Sequence, residues 1–207
     1  MKKLLHIIAT PRGEESRTLA VSGAFLEAFK TGHPDWTVEE LDLSKEDLPS
    51  LTLKRVDGKY VLLSGKDLTG DLKEAWEEIV RHIERFMSAD GYLISTPMWN
   101  FSVPYTLKHY IDVIVQPKYL FRYTATGAEG LVKNKKMVVV ASRGGDYSSK
   151  EMRAADFQEP YLRRIFGLCG ITDITFVVAQ PMDMGPELQK QKINEAQQAA
   201  RITAAKF

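Results

Sequence analysis

Three stretches of this chain carry side chains that suit a flat, phosphorylated ligand. In the first, a short apolar run from Tyr92 to Ser95 ends at Pro97, and Met98, Trp99, Asn100 and Phe101 follow. A plain surface turn would carry Gly, Asn, Asp or Ser there. These larger groups offer aromatic and thioether surface to a ring, with backbone donors around Asn100 and Phe101. Packing beneath a neighbouring loop is the competing reading. The second stretch places the hydroxyls of Thr10, Ser16 and Thr18 at a helix start, where the dipole and unpaired N–H groups attract a phosphate. For that loop alone, Ser16 acting only as an N-cap is the plainer account. The third, Ser142-Arg143-Gly144-Gly145-Asp146, sets two glycines after a strand. Glycine lets a backbone approach a ligand closely, though it also suits a tight turn.

The elements around these stretches follow from apolar spacing. Lys3 to Ala9 reads as a buried strand, and Ser16 caps a helix that keeps its spacing through Leu19, Phe25, Leu26 and Phe29 until Gly32-His33-Pro34. Trp36 to Leu43 alternates as a second strand. Residues 44–69 are irregular, with Pro49, Gly58, Gly65 and many charges. Gly70 to Met87 is strongly helical, with Leu72, Trp76, Ile79, Val80, Ile83, Phe86 and Met87 on one face. The Tyr92 strand comes next, and Ser102 and Pro104 predict the cap and early proline of a helix to about Val115. Lys118 to Leu131 predicts a hairpin or flap. Lys136 to Ser142 is another buried strand, followed by a helix from about Pro160 to Leu168. A strand at Asp173 to Ala179 and a last helix opened by Gly185-Pro186 complete the chain.

Strands alternating with helices, five times over, predict an α/β fold with a doubly wound parallel sheet. Five strands fit the flavodoxin-like order 2-1-3-4-5, with a hairpin insertion near 118–132, in one domain over residues 1–207. In that order the carboxyl ends of strands one, three and four meet near the switch point. Those ends carry the three stretches above. Together they describe a flavin mononucleotide site better than any does alone. The first loop lacks the Gly-Lys-Ser/Thr ending of a Walker A sequence and is not Gly-x-Gly-x-x-Gly.

Composition narrows the classes further. The chain has 207 residues, 44% hydrophobic and 27% charged, as expected for one globular domain. A net charge of +1 leaves no general footprint for nucleic acid or an anionic membrane. The single cysteine, Cys169, excludes an intramolecular disulfide and a cysteine-rich metal site. The apolar run after Met1-Lys2-Lys3 is too short for a signal peptide and no run is long enough for a membrane span. The expectation is a cytoplasmic protein without nucleic-acid, membrane or metal partners.

Pro97-Met98-Trp99-Asn100-Phe101-Ser102-Val103-Pro104, Phe121-Arg122-Tyr123-Thr124, Gly130-Leu131, Ser142-Arg143-Gly144-Gly145 and Gly170-Ile171-Thr172-Asp173 occur here in one order. The set resembles the FMN-dependent NADH-azoreductases, grouped with the flavodoxin-like NAD(P)H:quinone reductases. Trp99 stands where tyrosine is common and Thr10 where serine is common; residues 44–69 match poorly. The resemblance implies a homodimer with FMN at the interface. Thr10, Ser16, Arg17 and Thr18 would meet the phosphate, while Pro97 to Phe101 and Ser142 to Gly145 would surround the ring. It also implies ping-pong transfer of two electrons from NADH or NADPH through the flavin to a quinone or azo acceptor. The protein then positions rings and excludes water, which suits a chain with no evident catalytic dyad.

Phe121 and Tyr123 could wall the acceptor site from the hairpin, across a dimer interface, or simply pack. His6, His33, His82 and His109 read as structural or solvent-facing, His109 being nearest the aromatic loop in sequence. A flavodoxin-type electron carrier without enzymatic activity would share the site, although such carriers usually dock through strong charge complementarity. A flavin-free protein binding another phosphorylated ligand is the third class.

Overall fold

The computed structural model describes residues Met1–Phe207. Its five-stranded sheet joins β1 (Lys2–Ile8), β2 (Trp36–Asp42), β3 (Gly91–Pro97), β6 (Lys136–Ser142) and β7 (Asp173–Ala179) in the order β2-β1-β3-β6-β7. Every pairing in it is parallel. Leaving out the antiparallel hairpin β4 (Phe121–Thr124) and β5 (Gly127–Gly130), this is the expected order 2-1-3-4-5. Runs such as Tyr92-Leu93-Ile94 and Val138-Val139-Val140 are buried on both sides, as a sheet covered by helices requires.

Alternate residues feed two cores. Leu4, Leu93, Val138 and Val177 meet α1 (Arg17–Gly32) and α7 (Pro186–Ala205). The stripe Ala196, Ala200, Ala204 on α7 keeps helical spacing and is fully buried against that layer. Leu5, Ile7, Tyr92, Ile94 and Val139 face the larger core, covered by α2 (Leu53–Leu63), α3 (Gly70–Met87), α4 (Tyr105–Ile114) and α6 (Glu159–Cys169). A short helix α5 (Lys150–Arg153) lies before α6. Cys169 is buried there, and burial pushes its thiol up to about 12, so it is an inert packing group.

Two local expectations change. The irregular 44–69 segment contains α2, whose apolar pattern is broken by the exposed Leu53 and Tyr60. Tertiary contacts hold it instead: Arg55 Nε donates to the Ala75 carbonyl at 2.8 Å, Arg55 pairs with Glu78, and Trp76 Nε1 donates to the Arg55 carbonyl at 2.9 Å. Gly58 faces the Trp76 ring, where a Cβ would collide. Ser102 does not cap α4. Its N–H closes a turn onto the Trp99 carbonyl at 2.9 Å, and Pro104 occupies the position before the helix.

Candidate functional site

The turns after β1, β3 and β6 converge as parallel topology demands. A hollow of 230 Å³ is lined by Thr10, Ser16, Arg17, Thr18, Pro97, Met98, Trp99, Ser142, Arg143 and Gly144. Arg12, Met182 and Asp183 complete its wall. A second hollow of 490 Å³ shares Thr10 and Trp99 and opens toward Leu48, Tyr105 and His109. A larger one of 680 Å³, between α2, α3 and Lys118-Tyr119, contains none of the expected residues.

The closed end is built from hydroxyls. Ser16 Oγ donates to Thr10 Oγ1 at 3.2 Å and accepts from the Leu19 N–H at 3.3 Å, so it caps α1 and lines the hollow at once. Thr18 Oγ1 and Ser142 Oγ lie 2.7 Å apart, joining the first turn to the third. The N–H groups of Arg17 and Thr18, at the first turn of α1, find no acceptor within the chain. Arg17 pairs with Asp183 at 2.5 Å.

A buried polar line supports this end from beneath. Ser22 Oγ donates to the Thr18 carbonyl at 3.0 Å and lies 2.5 Å from Ser95 Oγ, which lies 2.7 Å from His6 Nε2. With the Ser22 proton committed to Thr18, Ser95 must donate to Ser22 and His6 Nε2 must donate to Ser95. Neutral His6 therefore carries its proton on Nε2, and Nδ1 has no partner. Burial holds its pKa down at about 4, which makes it a structural histidine.

The open end is aromatic and strained. Trp99 and Ser102 exchange backbone bonds at 3.0 and 2.9 Å around Asn100 and Phe101, which have φ +48° and +67°. Two central residues at positive φ are the signature of a type I′ turn. Asparagine tolerates that region, but phenylalanine does not. The Phe101 ring is half exposed. Met98 N–H donates to the Ser142 carbonyl at 2.8 Å, drawing the second turn against the third. A Cβ on Gly144 would meet the exposed Asp183 carboxylate, which would have to swing aside, and the Gly144 carbonyl accepts the Asp183 N–H at 3.0 Å.

Several expected residues lie elsewhere. Arg143 contributes backbone to the hollow, but its side chain is buried and paired with Asp156 at 3.0 Å. Asn100, Phe101 and Gly145 belong to the turns without lining the hollow. Phe121 is in the larger core, and Tyr123 is exposed on the hairpin and absent from the hollow's lining, 5.7 Å from Phe121 between centroids. His109 Nε2 donates to the Pro49 carbonyl at 3.1 Å, fastening the 44–69 segment beside Trp99. Met182 and Asp183 escaped the sequence reading, although they follow the carboxyl end of β7, where the same switch-point argument applies.

A family model described as flavodoxin-like fold matches residues 2–203. The chain belongs to this flavodoxin-like family. It is 38% identical over 209 residues to the FMN-dependent NADH:quinone oxidoreductase of Nitratidesulfovibrio vulgaris, with 100% of each chain covered. The protein of the same name from Nostoc punctiforme is 36% identical over 208 residues, again covering 100% of both. Among solved structures, an azoreductase from Bacillus anthracis superposes with TM-score 0.90 at 31% identity, covering 100% of each chain. An FMN-dependent NADH-azoreductase from the same species, in complex with FMN, gives TM-score 0.84 at 29% identity, covering 99% of this chain and 100% of that one.

Proposed function

We propose that the hollow and its aromatic mouth hold FMN, and that the chain is an FMN-dependent oxidoreductase passing electrons from NADH to a quinone or azo acceptor. The observation that carries the reading is the meeting of three turns in one cleft with a hydroxyl-lined closed end and an aromatic open end. The donors present fit the group. The Arg17 and Thr18 N–H groups and the Ser16 and Thr18 hydroxyls suit a phosphate, and the positive end of α1 adds to their attraction. The backbone edge at Gly144-Gly145 has no Cβ to hold a ring away, and Met98 and Trp99 present flat apolar surface.

Bound FMN supplies two-electron acceptance and donation. The protein's part is orientation: the Met98–Phe101 and Ser142–Gly145 turns seat the ring, and Trp99, Tyr105 and Leu48 shape the space beside it. No helix of the chain is long and apolar enough to cross a membrane.

The functional unit in this reading is a homodimer. Tyr105 is 75% exposed beside Trp99, and Leu53 and Tyr60 leave apolar surface on α2, which suits a subunit interface. Tyr123, exposed on the hairpin, would then wall a partner's acceptor site, while Phe121 supports it from the core. Purified protein should carry FMN, oxidise NADH rapidly with a soluble quinone, and elute as a dimer. A colourless protein that FMN cannot reconstitute ends the flavin reading. Bound FMN without NADH turnover would favour an electron carrier. Turnover compared between NADH and NADPH sets the donor preference.

A further inference from the structure

Behind the two ring-facing turns lies a segment that touches both. Gln158 is fully buried, and its amide is used at each end. Nε2 donates to the Pro97 carbonyl at 2.9 Å, and Oε1 accepts from Arg143 Nε at 3.3 Å. Pro97 immediately precedes the Met98–Phe101 turn, and Arg143 immediately precedes Gly144-Gly145. The neighbouring Phe157 N–H donates to the Phe101 carbonyl at 2.9 Å, at the residue held with φ +67°. Such a conformation persists only when the surroundings over-determine it.

The segment itself is anchored. Asp156 Oδ1 accepts the N–H groups of Gln158 and Glu159 at 2.9 and 3.1 Å, and Asp156 Oδ2 pairs with Arg143 at 3.0 Å. The Gln158 carbonyl accepts the Leu162 N–H at 3.0 Å, so the amide stands at the start of α6. One side chain thus ties both turns to a helix packed in the larger core.

We infer that Gln158 is a positioning residue for the flavin ring: its amide fixes the separation of the Met98–Phe101 and Gly144-Gly145 turns through Pro97 and Arg143. The inference rests on the FMN reading above. It predicts an effect on the ring end of the ligand and none on the phosphate end. Without the amide, the Pro97 carbonyl keeps only its bond from Thr96 Oγ1 at 3.1 Å, the buried Arg143 Nε is left unpaired, and the turns lose their common reference.

The test titrates apo-protein with FMN and with riboflavin, which has the ring but no phosphate, following flavin fluorescence and the absorption spectrum of the bound form. Gln158→Leu removes both bonds. Gln158→Glu keeps an acceptor for Arg143 Nε but sets oxygen against the Pro97 carbonyl. Each variant should weaken FMN and riboflavin by the same factor, about tenfold for a lost buried hydrogen bond, and should alter the bound-flavin spectrum. Circular dichroism should show the fold retained, most securely in Gln158→Glu. Loss of fold in both variants overturns the assignment, as does a folded variant with wild-type affinity and spectrum. A drop confined to FMN also overturns it, since that would place the effect at the phosphate. Wild-type protein that binds neither flavin removes the FMN reading, and the inference with it.

Discussion

The closed and open ends of the cleft rest on different physics. The closed end is a helix start whose hydroxyls satisfy one another over short distances and whose support, from His6 through Ser95 and Ser22 to the Thr18 carbonyl, is wholly buried. Its hydroxyls do what their residue types prefer at a helix start, and the one unmet group is the buried His6 Nδ1 beneath them. The open end is the reverse. Phe101 is held in a backbone region that phenylalanine avoids, and its turn is kept in place by bonds from Phe157 and Gln158, far away in sequence. A recurrent helix-terminus chemistry can be written locally, whereas a ring-facing edge has to be braced from outside.

The largest expected effect concerns the closed end. His6 has a folded pKa near 4, below its ordinary 6.5, so the unfolded chain takes up the proton first. The associated stability is fully present above 6.5 and is lost as pH falls toward 4, by at most about 3 kcal/mol. Urea unfolding near neutrality and near pH 4 should show this loss in the wild type beyond that in His6→Gln. Equal pH slopes in the two proteins would break the link between the buried line and the helix start.

Gly144→Val acts on the open end. The added side chain stands on the edge that the ring approaches and should weaken FMN about tenfold, roughly 1.4 kcal/mol. Riboflavin should suffer equally, and unchanged flavin occupancy would argue against this turn as the ring's seat. Ser16→Ala separates the two ends. Its lost cap should cost about 1 kcal/mol of stability, read as a lower Tm, and the preference for FMN over riboflavin should shrink while riboflavin affinity holds. The smallest change is expected from Asp183→Asn, which frees Arg17 and removes a carboxylate from the cleft wall. FMN binding should tighten by about two- to threefold at low salt, and the gain should fade at high salt.

Much of the scaffold was legible because burial on both faces leaves continuous apolar runs, as at Tyr92-Leu93-Ile94, and because α3 carries a clean one-sided stripe. The hydroxyls of the first turn were equally plain, since Ser16 and Thr18 sit at a helix start. Helix α2 was hidden by its exposed Leu53 and Tyr60 and by Gly58, a residue chosen for the Trp76 ring lying against it. The family resemblance set Arg143 among the residues around the ring, and an acidic partner thirteen residues on, Asp156, turns its side chain inward. Nothing local announces that Gln158 would reach Pro97.

By itself the sequence determined the alternation of strands and helices, the five-stranded order and the three turns that must share one end of the sheet. Apolar periodicity and helix-capping chemistry act over a few residues and are written in the residues themselves. Only the tertiary structure decided which side chains face the cleft, which brace it from behind, and that Phe121 belongs to the core. Those outcomes depend on partners distant in sequence, because a buried polar group goes wherever its hydrogen bonds can be met.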